Sequence, residues 1–346
     1  MSTDDIWRQL SFLESEPTAR RYLSTIYKDA GVDHPEKTAF QQSNRFLYTW
    51  LQGRQYYQLA EQSNLLVKPL LLFYGCVHLL KAYAISKDPA YPPNSRVLQH
   101  GVTTRKIKKS PYQFLEDDVK PQKEGFFTYL CSLLPNLLVM NRFRMIDLFT
   151  TLPTMYQTLL TLGIENSWVP ISCHGTRPYI LSFPFDTKGA LAYSSETFLH
   201  FLNRIQPANQ EPFTLYMASP DSTSLTDSTL MATGRSRNKL ICCANKESVL
   251  AHPLLHQGMH NSLLFWNHTE SVPLPSHLIH FLILYVCSML CRYDSEWWGD
   301  MIISHQYMEK ILLDQYCQLH EVTFPIEISR LMKIHIHTKK TPSAFS

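Results

Sequence analysis

Two apolar runs, around Leu65 to Leu80 and Leu278 to Leu290, constrain this chain more than any other feature. Each is apolar nearly all the way round a helix, and a helix without a broad polar face must be wrapped by other elements or by lipid. Lys68, His78 and His280 interrupt the runs, and each is shorter than the roughly 18 to 20 residues that span a bilayer. The pattern therefore predicts two buried core helices and no membrane span. The first should begin at Pro69, whose fixed φ suits an opening helical position. A chain of 346 residues can wrap them, since at this length a fold buries about 75% of its unfolded surface without disulfide or metal staples.

The segments around the runs supply the wrapping. From Asn44 to Glu61, Phe46, Leu47, Trp50, Leu51, Tyr57 and Ala60 fall at the spacing of one helix face, with Ser43 as its N-cap. Asp88 to Ser110 holds Pro89, Pro92 and Pro93, then His100-Gly101 and TTRKIKKS, which reads as a surface loop. Helical spacing returns over Leu130 to Val139 and Arg144 to Leu162. After about Trp168 the runs WVPIS, PYILSFPF, PFTLYMA and KLICCA alternate with turn residues, as strands of a small sheet do, and SSETFLHFLNRI reads as one helix among them. The Ser/Thr-rich stretch 219–238 reads as a flexible loop, and helix spacing resumes from Pro273. The expected fold is α+β and predominantly α-helical, with helical layers around a small β-rich central segment. Its regions would be an N-terminal helical region 1–165, a β-rich segment with one helix 166–248, and a C-terminal helical region with a basic tail 249–346.

Charge and cysteine usage narrow the function classes. Lys plus Arg number 32 against 29 acids, a net charge of +3, too small for a general electrostatic nucleic-acid binder, so a basic site must be local. Acids near the N-terminus stand where a secretory signal needs basic residues, and the eight cysteines sit mostly in apolar segments; both features predict a cytoplasmic protein with reduced thiols. No phosphate-binding glycine loop, nucleophile elbow or dinucleotide fingerprint occurs, and no cofactor is expected.

Several clusters carry candidate chemistry. His252, His256 and His260 lie four apart and His277 and His280 three apart, a ligand spacing if they are helical, but Pro253 and Gly258 weaken that helix and no metal site is expected. Lys68, Tyr74, His78 and Lys81 sit in or beside the first apolar helix, where a charge needs a partner or a ligand, and Tyr74 and His78 share a face. Arg105, Lys106, Lys108 and Lys109, preceded by His100, form the densest positive cluster and suit a phosphate-bearing ligand. Arg292 to Trp298 (RYDSEWW) suits a buried bond from Arg292 to Asp294, Glu296 or a distant carboxylate, shielded by indoles. Arg330 precedes His335 and His337 at the Arg-to-His spacing of HEPN-type ribonucleases, a pattern that chance also produces in a chain with 15 histidines.

Lys68-Pro69-Leu70-Leu71-Leu72-Phe73-Tyr74, followed by His78-Leu79-Leu80-Lys81-Ala82, by His100-Gly101, and by Cys291-Arg292-Tyr293-Asp294 with Trp298, resembles the bacterial YaaC-like proteins. Their pattern is a helix of the type Pro-Leu-Leu-x-Tyr-Tyr-x-x-x-Asn-Leu-x-Lys-Ala, a His-Gly loop, and a late Arg-Tyr-x-Pro-x-x-Trp segment. Phe73, His78 and Ser295 depart from it. The resemblance implies an intracellular bacterial protein and supplies no catalytic residues. The sequence reading is a non-enzymatic regulatory or interaction protein that binds a protein partner or an anionic, nucleotide-like molecule. Its binding residues would be Lys68, Tyr74, His78, Lys81, His100, Arg105, Lys106, Arg292 and Trp298. The alternative is a metal-independent, HEPN-like ribonuclease or toxin, acting on nucleic acid within an antiviral defence system, with Arg330 and His335 at its site.

Overall fold

The structure is a computed structural model that describes residues 2–336 except 108–111, 135–136, 138, 140, 176–177, 209, 217–237, 259–261 and 305. The described chain divides into two compact units, one of Met1–Thr158 with Pro275–Thr338, the other of Leu159–Leu274. The fold is predominantly helical α+β, and among the described residues the strands form two small antiparallel sheets.

The first unit is built on α1 (Thr3–Leu10), α2 (Glu16–Asp29), α3 (Pro35–Glu61), α4 (Lys68–Lys87), α5 (Phe126–Ser132) and α6 (Met145–Thr151), with α10 (Ser276–Tyr293), α11 (Ser295–Ile303) and α12 (Met308–Leu331) returning from the far end of the chain. Helix α4 lies at the centre, packed against α2, α3, α10 and α12, and Leu72, Phe73, Cys76, Leu79 and Leu80 are sealed from solvent. The two apolar runs are thus α4 and α10, long and apolar enough to cross a membrane by composition and largely buried in this fold. The α3–α4 contact is close because Gly75 faces the Tyr57 ring: a Cβ there would stand 2.8 Å from it.

Local chemistry explains where α3 and the first sheet depart from expectation. Helix α3 begins at Pro35, and Ser43 is buried inside it, its hydroxyl bonded to Glu16 Oε1 at 3.0 Å rather than capping a helix end. The residues before it continue the helix because Pro35 opens it. The span from Asp88 to Ser110 is not all loop: β1 (Val102–Arg105) pairs with β2 (Asp118–Pro121), and β2 with β3 (Phe143–Arg144). Thr103 and Thr104 are β-branched and take a strand once a partner strand 17 residues later is present. The expected helix at Arg144 to Leu162 is two short ones, α6 and α7 (Tyr156–Thr161), broken at Pro153. The expected helix at Leu130 to Val139 is α5, which starts earlier and ends at Ser132.

In the second unit six antiparallel strands run in the order β6-β7-β5-β4-β9-β8. They are β4 (Trp168–His174), β5 (Tyr179–Phe183), β6 (Thr214–Leu215), β7 (Lys239–Cys243), β8 (Leu255–Gln257) and β9 (Leu263–Trp266), with α8 (Ser195–Ile205) and α9 (Lys246–Ala251). Helix α8 starts at the Ser194 cap, and its Phe198 packs on Phe183 at 4.9 Å and Phe265 at 5.4 Å. The first four strands match the sequence expectation. Strand β9 was not legible because all four of its residues are buried, which removes the alternation that marks a strand. The stretch 219–238 read as a flexible loop lies almost wholly outside the described residues.

A chain of buried polar side chains joins three helices of the first unit. Tyr57 Oη on α3 is 2.7 Å from His320 Nε2 on α12, His320 Nδ1 is 3.1 Å from His280 Nδ1 on α10, and His280 Nδ1 is 3.0 Å from Tyr316 Oη. Two neutral imidazoles meeting through Nδ1 share one proton, so their tautomers are coupled. Burial pushes His280 down to about 4 and holds His320 well below the usual histidine value, which keeps both neutral.

Candidate functional site

Tyr74, His78 and Lys81 are spaced four and three residues apart on α4 and share one face of it. All three are half-buried in a helix whose middle is otherwise sealed, with Leu72, Phe73, Gly75 to Val77, Leu79 and Leu80 buried. Tyr56 of α3 stacks on Tyr74 at 5.6 Å and on His78 at 5.6 Å, holding both rings parallel to its own. From the last turn of α10, Arg292 reaches the same face: its Nη1 is 3.5 Å from Tyr74 Oη, while its Nε donates to Ser288 O at 3.1 Å, a bond that satisfies a late carbonyl of its own helix.

His100 is brought to this face by a backbone crossing. Gly101 has φ +75, and a Cβ on it would lie 2.8 Å from the Cα of Gly125, so only glycine fits. The crossing is fixed by bonds from Phe126 N to Gln99 O at 2.7 Å, from Phe127 N to His100 O at 3.1 Å, and from Gln122 N to Gly101 O at 2.8 Å. The His100 ring then packs edge-on against Phe73 at 4.9 Å and against Tyr285 of α10 at 5.8 Å. Burial holds its pKa below the usual histidine value, and the positive charges of Lys81 and Arg292 push it the same way.

Burial also lowers the Lys81 ammonium, and burial together with Lys81 takes His78 down to about 4. His78 Nδ1 is buried with no hydrogen-bond partner. Elsewhere in this unit several cations find acids: Lys68 bonds Glu321 at 2.8 Å, Arg54 pairs with Glu14 at 3.0 Å, and Arg96 bonds Glu124 at 2.8 Å. Lys81 and Arg292 have no carboxylate partner among the described residues. The cluster thus presents a guanidinium, an ammonium and two neutral imidazoles with no fixed negative charge, an arrangement that can hold an anion through hydrogen bonds and charge.

The other sequence-proposed residues have different surroundings. Lys68 is neutralised by Glu321, whose carboxyl is raised by burial against the pull of that lysine. The Trp298 indole donates to Leu66 O at 2.9 Å, tying α11 to the turn before α4. Arg105 is exposed on β1, and Lys106 pairs with Asp294 and lies over the Tyr112 ring at 4.2 Å; Lys108 and Lys109 fall outside the described residues. The expected bond from Arg292 to Asp294 or Glu296 does not form: Asp294 sits at the junction of α10 and α11 and takes Lys106, while Arg292 folds back along its own helix.

His252 and His256 do not share a helix. His252 is buried, with Nε2 donating to Leu202 O at 3.1 Å and Nδ1 accepting from Leu254 N, and His256 lies in β8; His260 is outside the described residues. His277 faces Glu327, apart from the His280 chain. Among the described residues no three metal-ligating side chains converge. Arg330, in the last turn of α12, and His335 beyond it are both exposed, and His337 lies outside the described residues. Sequence reasoning missed Tyr56 and Tyr285, whose aromatic rings resemble ordinary core residues until their neighbours are known. A polar cleft of about 370 Å³ lies elsewhere, against α1 and α3, but there Arg54 is occupied by Glu14 and by the Trp7 ring 4.9 Å away.

No curated protein and no solved structure matches this chain. The model of one protein family matches it over residues 11–332, a span that takes in Tyr56, Tyr74, His78, Lys81, His100 and Arg292 together, and the chain belongs to that family, the YaaC-like proteins.

Proposed function

We propose that this is a regulatory protein without catalytic activity that binds a phosphate-bearing, nucleotide-like small molecule at the face shared by α4 and α10. The observation that carries this reading is the pair Lys81 and Arg292, two half-buried cations without a carboxylate partner among the described residues, at the face that carries Tyr74 and His78. A half-buried charge left unpaired is costly, and an anionic ligand removes that cost on binding. The Arg292 fork grips two phosphate oxygens, Lys81 adds a point charge, and the imidazoles donate from their N–H groups. Lys106 is neutralised by Asp294 and stands outside the binding set. Eight free cysteines, with Cys76, Cys287 and Cys317 fully buried, support a cytoplasmic setting.

Calorimetric titration of the full chain with pyrophosphate and a panel of nucleoside mono-, di- and triphosphates tests the reading. The double variant Lys81→Ala/Arg292→Ala should lose binding, whereas Arg105→Glu should leave it within about threefold, as an exposed charge acts only at long range. Absence of binding across the panel, or equal binding by the double variant, overturns it.

A further inference from the structure

Lys106 is held in a corner whose walls do not depend on it. Its ammonium lies 4.2 Å from the centroid of the Tyr112 ring and 5.7 Å from that of Trp297, and it bonds the Asp294 carboxylate. The two rings meet nearly at a right angle, 81°, with centroids 4.5 Å apart, so they form adjacent faces of one box. Tyr112 is anchored through its hydroxyl to the buried carboxylate of Asp117, which also accepts the Ile107 N–H at 2.8 Å. Trp297 is braced by Tyr307 at 6.3 Å and the sealed Phe114 at 6.4 Å. Asp294 is fixed by backbone bonds at both ends, its N–H to Leu290 O and its carbonyl from Trp298 N. The occupant, by contrast, is a flexible stem with 44% of its side chain exposed. A rigid box of π-faces closed by a carboxylate is the chemistry that recognises an alkylammonium group.

We propose that Tyr112, Trp297 and Asp294 form a binding cage for an alkylammonium cation of a basic partner segment, such as a lysine side chain, with Lys106 as the internal occupant that such a cation displaces. The exchange swaps one ammonium for another on the same faces, so the cage selects for cation shape while contacts outside it would set affinity. This site takes a cation and is independent of the anion site.

The probe is tetramethylammonium chloride, added to full-length protein labelled with 5-fluorotryptophan and followed by fluorine NMR. Six tryptophans give separate signals, and Trp297→Phe identifies the one in the cage. In Lys106→Ala the Trp297 signal should shift saturably while the other five stay fixed. Wild type should need about tenfold more probe, because its own ammonium competes. Asp294→Asn in the Lys106→Ala background should abolish saturation. Lys106→Gln, which keeps the stem, gives the same reading if Lys106→Ala fails to fold. Equal responses in wild type and the emptied cage, or the same shift with sodium chloride at matched concentration, overturn the proposal.

Discussion

Lys106 bonds the carboxylate of Asp294, 188 positions away in the chain, and Arg292, two residues from that carboxylate, is left with neutral partners. The sequence places Arg292, Asp294 and Glu296 so close together that a local ion pair is the natural reading, and the fold gives the acid to a distant loop instead. Arg292→Ala should therefore change the stability of the ligand-free protein by under about 1 kcal/mol, as removal of an unpaired charge does. Glu321→Ala, which strands the largely buried Lys68, should cost about 2 kcal/mol or more. Urea unfolding of both variants decides the matter. A larger loss for Arg292→Ala than for Glu321→Ala contradicts the assignment of partners.

Leu72 is completely buried in α4, and Leu72→Ala should cost about 2 to 5 kcal/mol through lost contacts and a residual cavity. Gly75→Ala should also destabilise, for the opposite reason: the new methyl meets the Tyr57 ring, and Tyr57 cannot retreat without breaking its bond to His320. Thermal melting of both variants at matched concentration measures this. Wild-type melting by Gly75→Ala shows that α3 and α4 are less closely packed than described.

Acid should weaken the fold through its buried histidines. His252 and His280 have folded values near 4, depressed by burial, against about 6.5 in the unfolded chain. Between those values the unfolded chain takes up protons that the folded one refuses. Stability is then complete above pH 6.5 and is lost as pH falls toward 4, by at most about 1.4 kcal/mol per pH unit for each such histidine. Chemical unfolding between pH 7.5 and 4.5 should show this slope. A flat profile contradicts burial of neutral imidazoles.

Anion binding should strengthen over part of the same range. An anion beside His78 and His100 raises their depressed pKa values, so binding takes up protons and tightens as pH falls from about 7.5 to 5.5. Sulfate, which stays fully ionised there, separates this effect from titration of a phosphate. Sulfate affinity that falls or stays level across this interval places the bound anion away from both imidazoles.

Parts of the fold and of the candidate site lie in local pattern and parts do not. The apolar circumference of α4 and α10, Pro69 in the first turn of α4, and the Ser194 cap each follow from residues within one turn of the feature they set. Tyr74, His78 and Lys81 share a helix, so their common face is legible from spacing alone. That Arg292 joins them, that His100 is carried in by the Gly101–Gly125 crossing, and that Lys106 is taken by Asp294 all depend on pairings between distant segments. Strands β8 and β9 are not legible because three residues are too few to show a period in β8, and all four residues of β9 are buried, which removes its alternation.

The packing of α10 against α4 has a consequence for synthesis. Tyr74 and Arg292 are 218 positions apart, so α4 leaves the ribosome long before the helix that covers it exists. At about 5 to 20 residues per second, that interval is roughly ten to forty seconds, during which an all-round apolar helix lacks the cover that α10 and α12 give it. A nascent chain in this condition is a natural client for a holding chaperone. Fragments ending before Ser276 should aggregate rather than persist as smaller working versions, because they keep the central helix and lack its cover.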